Sequence, residues 1–104
     1  MAELKQSRPL AVYPKSPRRE VFIVHPGEGR KLDLLQAEHE LNFYADQEDF
    51  INATDNYLQI TLSQENDCEQ QVILLNNELK KELGNPERVK MFRKGENLFL
   101  KKLS

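Results

Sequence analysis

Residues 67–104 have the sequence DCEQQVILLNNELKKELGNPERVKMFRKGENLFLKKLS, in which one periodic apolar segment precedes two short alternating ones. In the periodic segment, apolar residues recur every three or four positions, with asparagine and lysine between them. This spacing matches the repeat of an amphipathic helix that buries one side. The apolar positions are Val72, Leu75, Leu79 and Leu83. We therefore predict one main helix over residues 67–83.

Signals at both ends of this segment support the helix. The carboxylate of Asp67 can accept a free backbone amide of the first turn, as an N-cap does. Gly84 can adopt the left-handed conformation that closes a helix, and Pro86 cannot continue one. Beyond this stop, a turn-forming Gly-Glu-Asn sequence separates residues 89–94 from residues 98–103. We predict that these two segments are strands of a hairpin.

Two further strands and one ambiguous region precede the main helix. Residues 20–25 are mostly β-branched or aromatic and end at a Pro-Gly turn, and residues 57–62 alternate polar with apolar side chains. Both features are typical of strands. Residues 31–50 fit either a helix or part of a hairpin. We favour a short helix over residues 33–39, followed by a hairpin over residues 41–54 with an acidic turn.

The first nineteen residues differ from the rest because they combine three prolines with several basic side chains and few apolar ones. This composition predicts a disordered or extended basic arm over residues 1–19. Residues 20–104 are predicted to form a single α+β domain. In it, a mixed or antiparallel sheet packs on the main helix.

The C-terminal half resembles the ubiquitin-like β-grasp family. In that family, a helix ends in Gly-x-Pro before a strand with a Lys-Gly turn. The same order occurs here in the predicted strand over residues 57–62, the predicted helix over 72–83, the bend Gly84-Asn85-Pro86-Glu87 and the segment 89–98. The resemblance implies a β-grasp fold and a protein-binding module that docks partners on a sheet face or an edge strand. Since the sequence has no terminal Gly-Gly, it does not resemble a conjugated modifier.

Length and composition limit the class of protein. A chain of 104 residues, 38% hydrophobic and 31% charged, suits one small domain with a modest core. It has no run of 18 apolar residues and no apolar secretion signal, so we expect an intracellular protein, cytoplasmic or nuclear, with no membrane partner. The single cysteine, Cys68, permits no internal disulfide and is too few for a zinc site.

Charge is divided into three blocks. Residues 1–31 carry seven basic and three acidic side chains, residues 32–79 carry eleven acids with no Lys or Arg, and residues 80–104 carry eight basic and three acidic ones. Such blocks either form opposed surface patches or interleave in space and cancel. If they form patches, we expect them to bind a partner protein or to drive self-association. The predicted partner-binding residues are Arg88, Lys90, Arg93 and Lys94 in a basic patch and Asp46, Glu48 and Asp49 in an acidic patch.

The basic arm contains a short linear motif. A proline spacing followed by arginine could dock as polyproline II on an aromatic groove, and the serine within it resembles a proline-directed kinase site. The residues of this motif are Pro14, Ser16, Pro17, Arg18 and Arg19. The alternative is a plain solvated leader.

No pattern in the chain specifies catalysis. His25 and His39 have no carboxylate motif between them, and the acidic cluster lacks the glycine and the distal glutamate of a calcium loop. We therefore predict no enzyme, no cofactor and no metal. The expected function is a protein–protein interaction domain of the adaptor or scaffold kind. The alternative is a small nucleic-acid-associated protein that uses the basic arm and the C-terminal basic hairpin, although the basic run over residues 14–19 has no interleaved aromatic residues.

Overall fold

A computed structural model of the chain describes residues 3–104, which form seven strands and three short helices. The strands are Leu4–Tyr13 (β1), Val21–Val24 (β2), Glu38–Tyr44 (β3), Leu58–Gln64 (β4), Val72–Leu74 (β5), Arg88–Lys94 (β6) and Asn97–Lys102 (β7). The helices are Pro26–Arg30 (α1), Gln47–Asn52 (α2) and Asn77–Glu82 (α3). No helix in the described part of the chain is long and apolar enough to cross a membrane.

The seven described strands close into a barrel. Their order is β1-β5-β2-β4-β3-β7-β6, and β6 pairs in turn with β1. Three neighbouring pairs are parallel, namely β1 with β5, β2 with β4 and β3 with β7, and the other four pairs are antiparallel. Because each of these strands has a hydrogen-bonded neighbour on both sides, the described sheet has no edge strand.

The core fills the inside of the barrel. Alternate side chains of each long strand point inward, as the two-residue repeat of a strand requires. Phe22 and Phe43 meet edge to face there, with ring centroids 5.0 Å apart. Other core residues from the strands are Leu10, Val12, Leu41, Ile60, Leu62, Val89, Met91, Leu98 and Leu100. Leu79 of α3 also belongs to this cluster.

An irregularity in β1 is filled by side chains. The register between β1 and β6 shifts between Gln6 and Pro9, which interrupts the backbone ladder. The Ser7 hydroxyl accepts a hydrogen bond from the Met91 backbone N–H at 2.9 Å, so this buried amide is still satisfied. The neighbouring Arg8 reaches the fully buried carboxylate of Glu28 in α1, with Nη2 at 2.5 Å from Oε2. Thus the irregularity joins β1 to both β6 and α1.

The predicted main helix over residues 67–83 is wrong. Val72–Leu74 is strand β5, which lies between β1 and β2, and only Asn77–Glu82 is helical. Asn76 is the N-cap, and its side chain accepts from the backbone N–H groups of Glu78 and Leu79. The four consecutive apolar residues 72–75 suit a strand with neighbours on both sides, and an asparagine next to them suits a cap better than a helix interior.

The predicted α+β class and the β-grasp resemblance are also wrong. A β-grasp fold packs its sheet on one main helix, whereas this chain closes a seven-stranded barrel and has no described helix longer than six residues. Docking on an edge strand, which the resemblance implied, therefore has no basis in this sheet. The barrel needs no covering helix because the sheet encloses its own core.

Two upstream predictions also require correction. Residues 4–13, within the predicted disordered arm, form β1 and pair with β5 and β6. No helix occurs at residues 33–39: Asp33 has a positive φ of 59°, and Glu38–Tyr44 is strand β3. The predicted hairpin over 41–54 is instead β3 followed by α2. Three other predictions are confirmed. The strand predicted at residues 20–25 is β2, the strand predicted at 57–62 is β4, and the hairpin predicted at 89–103 is β6–β7.

Candidate protein interface

The outer side of β6 and β7 carries a group of cations that we call the basic face. Since Val89 and Met91 point into the core, the residues between and beside them on β6 point outward. In the same way, Leu98 and Leu100 face inward on β7 and their neighbours face outward. The basic face consists of Arg88, Lys90, Phe92 and Lys94 on β6 with Lys101 on β7.

Positive charge on the basic face is not compensated within the described chain. Lys90 lies directly opposite Lys101 in the antiparallel pair, and like charges in that position destabilise a sheet. Among residues 3–104, no carboxylate lies within ion-pair distance of any of the four cations of this face. The Lys90 ammonium does lie 5.9 Å from the centroid of the Phe92 ring. The arrangement therefore offers a cationic surface that an external anion would stabilise.

An apolar groove of about 280 Å³ borders the basic face. Ile51 of α2 and Leu4 of β1 are 63% and 56% exposed, which is unusual for large aliphatic side chains that lie close together. The floor contains Phe50 stacked on Phe99, with ring centroids 5.6 Å apart. The full lining is Leu4, Gln47, Phe50, Ile51, Phe92, Phe99 and Lys101. We call this feature the apolar groove.

Helix α2 forms one wall of the apolar groove and carries the predicted acidic patch. Asp46 is its N-cap, and Glu48 and Asp49 occupy its first turn, where negative charge favours a helix. The Asp49 carboxylate also accepts hydrogen bonds from Thr54 Oγ1 at 3.1 Å and Asn56 Nδ2 at 2.9 Å. Of the three acids, Glu48 is the one whose carboxylate makes no hydrogen bond or ion pair within residues 3–104.

The structure changes the membership of the predicted basic patch. Arg88, Lys90 and Lys94 lie together on the basic face, but Arg93 belongs to the alternate set of β6. Its guanidinium donates to the Leu32 carbonyl at 2.7 Å and to the Gly95 carbonyl at 2.8 Å, so its role is to hold two loops. Lys101 was missed, although the apolar alternation of Leu98 and Leu100 was a signal that it faces outward.

The serine of the linear motif is buried, whereas its prolines and arginines are exposed. Ser16 is 5% exposed, and its hydroxyl donates to the Val21 carbonyl at 2.5 Å and the Arg18 carbonyl at 3.1 Å. Its backbone N–H donates to the Leu75 carbonyl. A kinase would have to detach this loop to reach the hydroxyl. The segment between Pro14 and Pro17 is thus part of the fold in this structure.

The two arginines of the linear motif are paired with acids. Arg18 Nη2 lies 2.8 Å from a carboxylate oxygen of Glu20, and Arg19 forms an ion pair with Glu82 of α3. Arg19 and Glu82 border a second cleft of about 380 Å³, which also contains Asp46, Tyr57 and an apolar floor. Since its arginine is paired and Asp46 caps α2, this cleft offers few free charges.

Both histidines accept a local backbone hydrogen bond. His25 Nδ1 accepts from the Gly27 N–H at the start of α1, and His39 Nε2 accepts from the Gln36 N–H at 3.0 Å. Burial and the nearby Arg93 charge lower the pKa of His39, and burial raises the pKa of the Cys68 thiol. Residues 3–104 contain no group of three or more His, Cys, Asp or Glu side chains placed to hold a metal ion.

Comparison of the chain with protein-family models, with curated proteins and with solved structures gave no match.

Proposed function

We propose that this chain is a non-enzymatic protein-interaction module that binds an acidic protein surface through the basic face and the apolar groove. The observation that carries the proposal is the cross-strand pair of Lys90 and Lys101, which lies beside exposed aliphatic side chains and has no acid of the described chain to balance it. A partner with carboxylates around an apolar centre would satisfy both features.

Electrostatics and burial contribute differently to such binding. A cluster of unpaired cations increases the rate at which an acidic partner finds the face, and this effect weakens as salt screens the charges. Lasting affinity depends more on removing apolar surface from water. Burying one exposed aliphatic side chain such as Ile51 is worth about 1.5–3 kcal/mol before the cost of association is subtracted.

A nucleic acid is the second candidate partner. Phe92 lies between Lys90 and Lys94 on the outer side of β6, and a partly exposed aromatic ring flanked by lysines suits a base stacked above a phosphate backbone. The protein partner is favoured because Phe99, the neighbouring ring, is buried beneath α2. The exposed large apolar residues of the groove, Leu4 and Ile51, are aliphatic, so they offer packing contacts and no flat stacking platform.

The proposal can be tested by binding of two labelled probes to the full chain. The first probe is a synthetic peptide that alternates glutamate with leucine, and the second is a single-stranded oligonucleotide of mixed sequence. Fluorescence anisotropy is measured at low and high salt. We expect the peptide to bind, and we expect Lys90→Glu/Lys94→Glu/Lys101→Glu to weaken its binding by about tenfold or more, which corresponds to about 1.4 kcal/mol.

A matched control carries the same change of charge elsewhere. Lys31, Lys80 and Lys81 lie outside the basic face, and the variant Lys31→Glu/Lys80→Glu/Lys81→Glu should retain most of the peptide affinity. Equal losses in both variants would contradict the assignment to this face. Binding of the oligonucleotide alone, with a steep fall as salt increases, would transfer the function to nucleic acid.

A further inference from the structure

We infer that the partner of the apolar groove is a second copy of this chain, bound about a two-fold axis. The inference rests on the proposed function, because it identifies the acidic protein surface that the basic face binds. It commits to a closed dimer, in which the same residues of both copies form the interface.

The two walls of the apolar groove differ in charge. Gln47 and Ile51 of α2 line one wall. The exposed Glu48 lies three residues before Ile51, a spacing that makes the two side chains neighbours on a helix surface, so this wall has an acidic rim. The opposite wall is formed by the strands and contains Lys101, with Lys90 directly across from it. An apolar centre with an acidic rim on one side and a basic rim on the other can be complementary to a copy of itself.

A half-turn of one copy places its acidic rim on the basic rim of the other. In that arrangement Glu48 of each copy faces Lys101 of its partner, and the contact occurs twice because of the symmetry. Ile51 of each copy enters the groove of the other and packs near Leu4 and Phe92, all of which line the groove. The dimer thus removes both exposed aliphatic side chains from water and supplies the missing acid to the lysine pair.

The location of the charges also determines how far assembly proceeds. Open head-to-tail chains need the two complementary patches on different sides of the molecule. Here the acidic rim and the basic rim border one groove, so each copy uses both in a single contact. Assembly should stop at two copies.

The experiment measures the mass of the full chain in solution by sedimentation velocity and light scattering, from about 10 µM to about 1 mM, a range that covers weak interfaces. We expect a dimer at low salt that dissociates as salt increases. Glu48→Lys and Lys101→Glu should each be monomeric, because each places like charges opposite one another twice in the dimer.

Mixing these two variants is the decisive step. In the mixed pair, Lys at position 48 faces Glu at position 101 in one contact, and Glu48 faces Lys101 in the other. Both contacts are then attractive, so an equimolar mixture should recover the dimer mass that neither variant reaches alone. A mixture that remains monomeric would overturn the inference, and a series of larger species would overturn the two-fold arrangement.

An apolar-to-charged substitution provides an independent check. Ile51→Lys should abolish the dimer. Leu35→Lys changes another exposed aliphatic residue, 79% exposed and outside the groove, and should leave the dimer mass unchanged. Circular dichroism of both variants establishes that they fold. Loss of the dimer in both variants, or in neither, would contradict the assignment to the groove.

The result separates this inference from the function on which it rests. A wild-type chain that is monomeric throughout the concentration range but binds the glutamate–leucine peptide through Lys90, Lys94 and Lys101 would overturn the dimer and keep the acidic-partner function. A monomer that binds neither the peptide nor itself would overturn both.

Discussion

A local contact favours the neutral form of His39. Its Nε2 accepts a hydrogen bond from the Gln36 N–H, which a protonated ring nitrogen could not do. Partial burial and the positive charge of Arg93 act in the same direction and lower the pKa of the ring from its ordinary value of 6.5. The folded protein therefore binds a proton at this position less readily than the unfolded chain does.

This difference predicts a pH dependence of stability. As the pH falls below 6.5, the unfolded chain takes up a proton at His39 before the folded protein does, so the free energy of unfolding decreases until the lowered pKa is reached. Above that window the contribution is fully present. Urea titrations at several pH values between 7.5 and 5 measure this effect. As the pH falls, the free energy of unfolding of His39→Gln should decrease less steeply than that of the wild type. If the free energy of unfolding fell equally steeply with pH in both proteins, His39 would not contribute to the pH dependence, since His25 is common to both.

Charge content groups Lys90 and Lys94 in one basic segment, and both lie on the outer side of β6. Their binding of a partner stays a prediction. Arg93 belongs to the same segment, yet a one-residue step along a strand reverses the direction of the side chain. Charge content alone could not separate Arg93 from its neighbours, nor could it indicate that Lys101 on the next strand joins them.

Among the elements, α3 is too short to be stable by itself and depends on its anchors. An isolated helix of six residues is unstable in water, so its stability comes from the Asn76 cap and from burial of Leu79 in the main core. Leu79→Ala should lower the free energy of unfolding by about 2–5 kcal/mol, because the lost packing leaves a cavity.

Chemical denaturation followed by circular dichroism would measure this loss. Lys81→Ala is the matched control, since it changes an exposed residue of the same helix and should have a small effect. If the two variants lost the same stability, Leu79 would not anchor the helix.

The helix prediction failed over residues 72–75 for a definable reason. Val72 and Leu75 are buried in both interpretations, so a hydrophobic pattern cannot distinguish a helix face from a strand with neighbours on both sides. Val72 and Ile73 are β-branched and favour a strand, and Gln71 precedes them with a positive φ of 60°, which no helix contains. The capping signal was also assigned to Asp67, while Asn76 performs it.

At the scale of the whole molecule, β1 closes the barrel. It is paired with β5 on one side and β6 on the other, so its removal would expose two strand edges. The core would also lose Leu10 and Val12. Deletion of residues 1–13 should therefore abolish cooperative unfolding and cause aggregation. Urea denaturation and light scattering measure both effects.

Deletion of residues 1–3 serves as the control, because these residues precede β1 and the cooperative transition should remain. A stable, cooperative protein without residues 1–13 would mean that the barrel does not need β1, as the predicted disordered arm implied.

The closed architecture could not be predicted from the sequence. Individual strands such as β2 and β4 have local signals, and both were found. The pairings that close the ring join distant residues, such as Ala11 with Val72 and Leu4 with Lys94, and three of the pairs are parallel. Local periodicity contains no information on which strand lies beside which, so it cannot predict that the sheet closes on itself.

The distant pairing of β1 also affects how the protein is made. Of the seven described strands, β1 leaves the ribosome first, but Val72, its partner at Ala11, is synthesised much later. At about 5–20 residues per second, translation leaves β1 without a partner for several seconds. During that interval it is an unpaired strand in a crowded cell, where it can associate with other nascent chains. Chaperones that bind extended segments would therefore have their greatest effect on the yield of this protein early in translation.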